Sequence, residues 1–143
     1  MSNLFNAISA SASALDVQRA RMEVAVSNLA NAESTRGPGG QPYRRREVVL
    51  ESTAVGSNAG TFSVSPQPEG VRVAGVVEDQ TEFRRRYEPS HPDADAEGFV
   101  KMPNVDVPEE MVDMLGAARA YQANLTAINL IRDTIQRSLD LAK

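Results

Sequence analysis

The sequence predicts an α+β fold: long N- and C-terminal helices pairing as a coiled coil, with a small antiparallel β-rich insert between them. Three observations predict it. Apolar residues recur every seven positions at both ends of the chain, and Gly/Pro clusters punctuate short strand-like runs in the middle. Aromatic residues make up only 5% with no tryptophan, too few for a large central core. The predicted boundaries are residues 1–34 and 106–143 for the helical part and 35–105 for the insert.

The first helix is predicted from Leu4 to about Ala32. Leu4, Ile8, Leu15, Met22, Ala25 and Leu29 share a stripe, and Ile8, Leu15, Met22 and Leu29 fall seven apart. A strict seven-residue repeat marks a coiled-coil seam rather than the drifting stripe of an ordinary surface helix. Ser11 and Gln18 occupy the other seam position and weaken it. At ~1.5 Å per residue this helix is about 42 Å long.

Breakers follow: Arg36–Gln41 reads RGPGGQ, and Gly56–Gly60 and Ser65–Gly70 are similar clusters. Between them Tyr43–Leu50, Val71–Val77 and Thr81–Tyr87 read as strands, the second with a bulge near Gly75. The Ser90–Gly98 stretch, SHPDADAEG, reads as turns.

The last helix is predicted from Val107 to near the end. Asp106 and Glu109 have capping-box spacing, and Pro108 suits a first helical turn. Met111, Ala118, Leu125 and Leu139 form one seven-residue series, interrupted by Arg132; Met114, Tyr121, Ile128, Ile135 and Ala142 form the other.

Composition narrows the chemistry. With no cysteine there are no disulfides, thiolate metal sites or cysteine nucleophile. A single histidine, His91, leaves acid–base and triad catalysis few candidates. Asp93, Asp95 and Glu97 followed by Gly98 copy the opening of an EF-hand loop, but Asn104 stands where the bidentate glutamate belongs, so the segment reads as a turn. Arg44–Arg46 and Arg84–Arg86 are basic triplets, yet Glu47, Glu51, Glu82 and Glu88 dilute them. They read as charged strand edges or salt bridges between subunits rather than a nucleic-acid surface. The net charge is −4, and no apolar run is long enough to insert in a membrane. The N-terminus does not read as a cleavable signal peptide. No catalytic, metal or cofactor site is expected.

Asn28-Leu29-Ala30-Asn31 resembles the NLAN signature of the flagellar rod and hook axial proteins. Ala14-Leu15, Gln18-Arg19 and Arg21-Met22 upstream are similar to the same family. Gly39-Gly40-Gln41-Pro42-Tyr43-Arg44-Arg45, Tyr87–Asp95, Met102-Pro103-Asn104-Val105, Glu110-Met111 and Ala120–Asn124 resemble further family segments, and the SHPDAD stretch points to its proximal-rod branch. The resemblance implies a structural subunit of a hollow, torque-transmitting shaft through the periplasm. It implies helical assembly with other rod proteins and with copies of itself, and export as an unfolded chain by the flagellar type III apparatus. The expected assembly seam is Ile8, Leu15, Met22, Leu29, Met111, Met114, Tyr121, Leu125, Ile128, Ile135 and Leu139. Another axial protein of the family, a two-helix adaptor or chaperone, and a metal-dependent enzyme are the alternatives the residues leave open.

Overall fold

The computed structural model describes residues 2–37, 39–54 and 69–141. The breaker clusters at 56–60 and 65–68, and Ala142 of the C-terminal series, lie outside the described residues. The elements are α1 (Ser2–Ala30), β1 (Arg46–Ala54), β2 (Glu69–Glu78), β3 (Arg84–Tyr87), β4 (Phe99–Met102) and α2 (Val107–Asp140). The fold is α+β, with both long helices and the strand insert where the sequence puts them.

Helix α2 begins as its residues dictate. The Asp106 carboxylate accepts a hydrogen bond from the Glu109 amide, Pro108 sits in the first turn, and Glu109 and Glu110 lie at the positive end of the helix dipole. Asn28, near the end of α1, touches Glu110 in the first turn of α2, so the packed helices run antiparallel.

The strands form two separate antiparallel hairpins, β1–β2 and β3–β4. In the first, Val49 opposes Gly75 and Leu50 opposes Val73, leaving Ala74 without a partner. This is the expected bulge, beside Gly75. The hairpin packs against α1, and on one of its faces Val48, Val71 and Val73 are half-buried while Leu50 and Val76 stay exposed. Strand β4 has no counterpart in the sequence reading: four residues following a turn are too short a signal. The turn itself requires Gly98, whose φ is 83° and where a Cβ would meet the Tyr87 ring at 2.9 Å.

Buried residues concentrate where the elements meet. Ala25, Asn28 and Ala32 near the end of α1, Val100, Met102, Pro103 and Val105 around the end of β4, and Glu110 are buried, whereas farther along the helices, among the described residues, only Val17 and Ala117 are. The core is a junction at one end of the helix pair, and the rest of the pair extends from it.

Candidate functional site

Asn28 is the centre of that junction. Its side chain is 1% exposed and makes four hydrogen bonds, its full capacity. Oδ1 accepts from the Arg46 amide at 3.0 Å and from the Tyr43 hydroxyl at 2.9 Å. Nδ2 donates to the Arg46 carbonyl and to Glu110 Oε2, both at 2.9 Å. The amide therefore bonds both backbone groups of Arg46, as a neighbouring strand would, where β1 begins.

Glu110 is held from the other side by Arg45, whose Nε lies 2.5 Å from Oε1. Burial alone would pull the Arg45 guanidinium pKa down; the hydrogen bond and charge of Glu110, reinforced by Glu47, outweigh it and raise it above its ordinary value. Arg45 also lies within 4.0 Å of Asp79, Glu109 and Asp113. Its backbone amide donates to Asn104 Oδ1 at 2.8 Å, and the Asn104 amide reaches the Asp79 carbonyl and the Thr81 hydroxyl. One polar network thus joins α1, the start of β1, the turn after β2 and the start of α2.

The rest of the signature behaves differently. Asn31 closes the helix end: its Nδ2 donates to the Ser27 carbonyl at 2.8 Å, and its Oδ1 accepts from Ser34. Leu29 is half-buried and Ala30 exposed.

Burial within the chain divides the residues of the expected assembly seam. In α1, Ile8, Leu15, Met22 and Leu29 are only half-buried, while Val17, Ala25 and Asn28 are buried. Ala25 belongs to the predicted stripe, whereas Val17 and Asn28 lie about a third of the circumference away from its centre. The reason is that α1 has two neighbours, α2 and the β1–β2 hairpin, and the positions covered from both sides are deepest. Asn28 touches both.

In α2, Met114, Tyr121, Ile128 and Ile135 face inward as half-buried residues. Their partners are Glu110, Ala117, Asn124 and Ile131, which are buried or half-buried and alternate with them at steps of four and three. The other predicted series faces out: Met111, Leu125 and Leu139 are 48%, 45% and 52% exposed, and Ala118 is half-buried. Arg132 is exposed and interrupts nothing. Glu110 and Asn124 are polar, so a hydrophobic pattern favours the Met111 series one residue later.

The acidic loop is used internally. Asp93 accepts from Thr35 Oγ1 at 2.9 Å and pairs with Arg36 at 2.8 Å, tying the β3–β4 hairpin to the chain leaving α1. The His91 ring nitrogen Nδ1 accepts from the Asp93 amide. Asp95 accepts from the Phe99 and Glu97 amides, which hold its carboxyl below the ordinary range against the opposing effect of desolvation; Arg85 adds to the lowering. Among the described residues no cluster of three His, Cys, Asp or Glu side chains is placed to hold a metal ion.

The arginine triplets also find partners within the chain. Arg44 donates to the Asp79 and Thr81 carbonyls and stacks over Phe83; Arg46 pairs with Glu78. Arg84 donates to the Pro103 and Val105 carbonyls, Arg85 pairs with Asp95 and Glu97, and Arg86 pairs with Glu88. These ion pairs lie within one chain. No helix among the described residues is long and apolar enough to cross a membrane.

A long antiparallel helix pair, pinned at one end to a small strand insert and apolar on an outer face, defines a structural, assembly-forming protein. Residues 96–141 match the family described as flagellar basal body rod FlgEFG protein, C-terminal. The chain is 45% identical to the flagellar basal-body rod protein FlgC of Escherichia coli O6:H1, over 98% of each chain. It is 44% identical to that of Salmonella typhimurium over 98% of each, and 40% identical to that of Bacillus subtilis over 97% of this chain and 98% of the relative. The chain belongs to the FlgC family of flagellar basal-body rod proteins and is a structural subunit of the rod.

Proposed function

We infer that the chain is a non-enzymatic building block of the proximal rod, assembling helically with other rod proteins and with copies of itself. Residues 1–34 and 106–143 form the inner, helical layer and residues 35–105 the outer part. The chain reaches the periplasm through the flagellar type III apparatus.

One observation carries this reading. Helix α2 has two apolar stripes a residue apart, and only one is covered within the chain. Met111, Leu115, Ala118 and Leu125 repeat the four-and-three spacing of the inner seam, and Met111, Leu115 and Leu125 are 48%, 51% and 45% exposed. An apolar helix stripe at coiled-coil spacing fits another helix. In a rod, that helix comes from a neighbouring subunit.

A pair of substitutions separates the two stripes. Ile128→Asp places a charge in the inner seam and lowers the stability of the free chain by several kcal/mol. Leu125→Asp leaves the free chain folded, by circular dichroism and urea titration, but yields secreted subunit that does not enter basal bodies, and the cells do not swim. Normal swimming of the Leu125→Asp strain refutes the outer stripe as an assembly surface.

A further inference from the structure

The inner seam has one property the rod reading does not use: it is nearly periodic. Met114, Tyr121, Ile128 and Ile135 recur every seven residues, and sliding α2 by one repeat toward its C-terminal end brings Val107, Met114, Tyr121 and Ile128 to their places. The covered positions of α1 include many small residues, with Ala10 and Ala14 half-buried and Val17 and Ala25 buried. Such a seam accepts several alignments at similar cost, because apolar contact is non-directional. Polar residues buried at seam positions are what distinguish one alignment from the next.

Here the buried charge on the seam is Glu110, and its partner across the helix pair is Asn28. A slip of one repeat moves α2 by about 10 Å. Glu110 then leaves both Asn28 and Arg45, and the Asn28 amide loses one of its four bonds. Neither group regains a partner at an apolar seam position, so the slipped alignment carries unpaired buried polar groups. The native alignment carries none at this node.

We propose that the Asn28–Glu110–Arg45 node is a register latch: it selects one axial alignment of the two terminal helices, which their apolar seam alone does not. Asn28 and Glu110 are positioning residues in this sense, and the latch concerns the single chain, apart from how chains assemble. A shaft built from helix pairs needs each pair at one fixed length, since a slipped subunit presents its outer stripe at the wrong height.

The chain has no cysteine, so spin labels attach only where cysteines are introduced. Ala12→Cys on α1 and Val112→Cys on α2 are both exposed, and they sit at different heights, since Ala12 is about 24 Å along α1 from Asn28. Sliding of the helices therefore changes the label separation. Pulsed electron–electron resonance on the purified full chain gives one narrow distance in the parent. In the Asn28→Leu/Glu110→Leu background, where Arg45 keeps Glu47, Asp79, Glu109 and Asp113 as partners, it gives a second population displaced by most of the 10 Å repeat. Circular dichroism of that variant retains the parent's helical signal. Glu110→Gln, which keeps a polar partner for Asn28, gives the single narrow distance.

A single unchanged distance in the double-leucine variant overturns the proposal, because the strand insert then fixes the register unaided. A broad distribution in the parent, a second population with Glu110→Gln, or loss of helix in the double-leucine variant overturns it too. The last result means that the node holds the fold itself rather than its alignment.

Discussion

Replacing Asn28 by aspartate keeps the side chain's shape and exchanges its two N–H donors for a second carboxylate oxygen. The bonds from Tyr43 and the Arg46 amide survive, because both are accepted by oxygen. The two donated bonds, to the Arg46 carbonyl and Glu110, do not. The first is worth about 1 kcal/mol and the second, to a buried carboxylate, about 1.5–3 kcal/mol. In their place two carboxylates face each other inside the junction, so the total cost at neutral pH is about 4 kcal/mol, in the range for disrupting a buried charge network. That is a large part of the ~5–15 kcal/mol that holds a domain of this size together. The repulsion raises the pKa of one carboxyl of the new pair in the folded variant above its unfolded value. A carboxyl with a raised folded pKa destabilises above that pKa and ceases to do so as pH falls below the unfolded one. The deficit relative to the parent therefore narrows between about pH 7 and about pH 4. Parallel urea titrations of Asn28→Asp and parent across that range measure it. A variant as stable as the parent at neutral pH, or a deficit that does not change with pH, refutes the account of Asn28 as a two-way amide bridge.

Gln18 Oε1 is buried in α1 without a hydrogen-bond partner among the described residues, so Gln18→Leu stabilises the free chain by about 1 kcal/mol and raises its Tm by about 3 °C. An unchanged or lower midpoint in a thermal melt counts against this. Gly98→Ala costs about 1–2 kcal/mol through its positive φ and the Tyr87 ring, whereas Gly75→Ala, with open space around its Cβ, is close to neutral; urea midpoints compare them. The Asp95 carboxyl, held low by the Phe99 and Glu97 amides, stabilises the β3–β4 turn above the unfolded carboxyl's ordinary value of 3.8. That contribution is lost as acid carries the pH down through the lowered folded value, and the Phe99 amide resonance titrates with a midpoint below 3.8. A midpoint at or above the ordinary value rejects the cap.

What the sequence made legible, and what it hid, follows from which forces leave a pattern. Helix α2 was legible to its first residue because Asp106, Pro108 and the seven-residue repeat are local signals that agree. The bulge beside Gly75 was legible for the same reason. On α2 the seven-residue period was legible, and so was the inner line of Met114, Tyr121, Ile128 and Ile135, but not the line that alternates with it. Hydrophobicity selected Met111, Ala118 and Leu125, whereas the residues turned inward begin with Glu110 and include Asn124. A buried glutamate is visible only with Arg45 and Asn28 beside it, and these lie far away in sequence. The outward stripe is itself informative. A helix facing a single partner needs one apolar line, and the residues between can be polar. Helix α2 carries Met111, Leu115 and Leu125 in the open and Met114, Tyr121 and Ile128 within the pair. The isolated chain gains nothing from the exposed leucines, which favour aggregation unless something covers them. In the proposed assembly a neighbouring subunit's helix covers them, so the part of the pattern that the fold of the single chain leaves open is the part that bears on assembly.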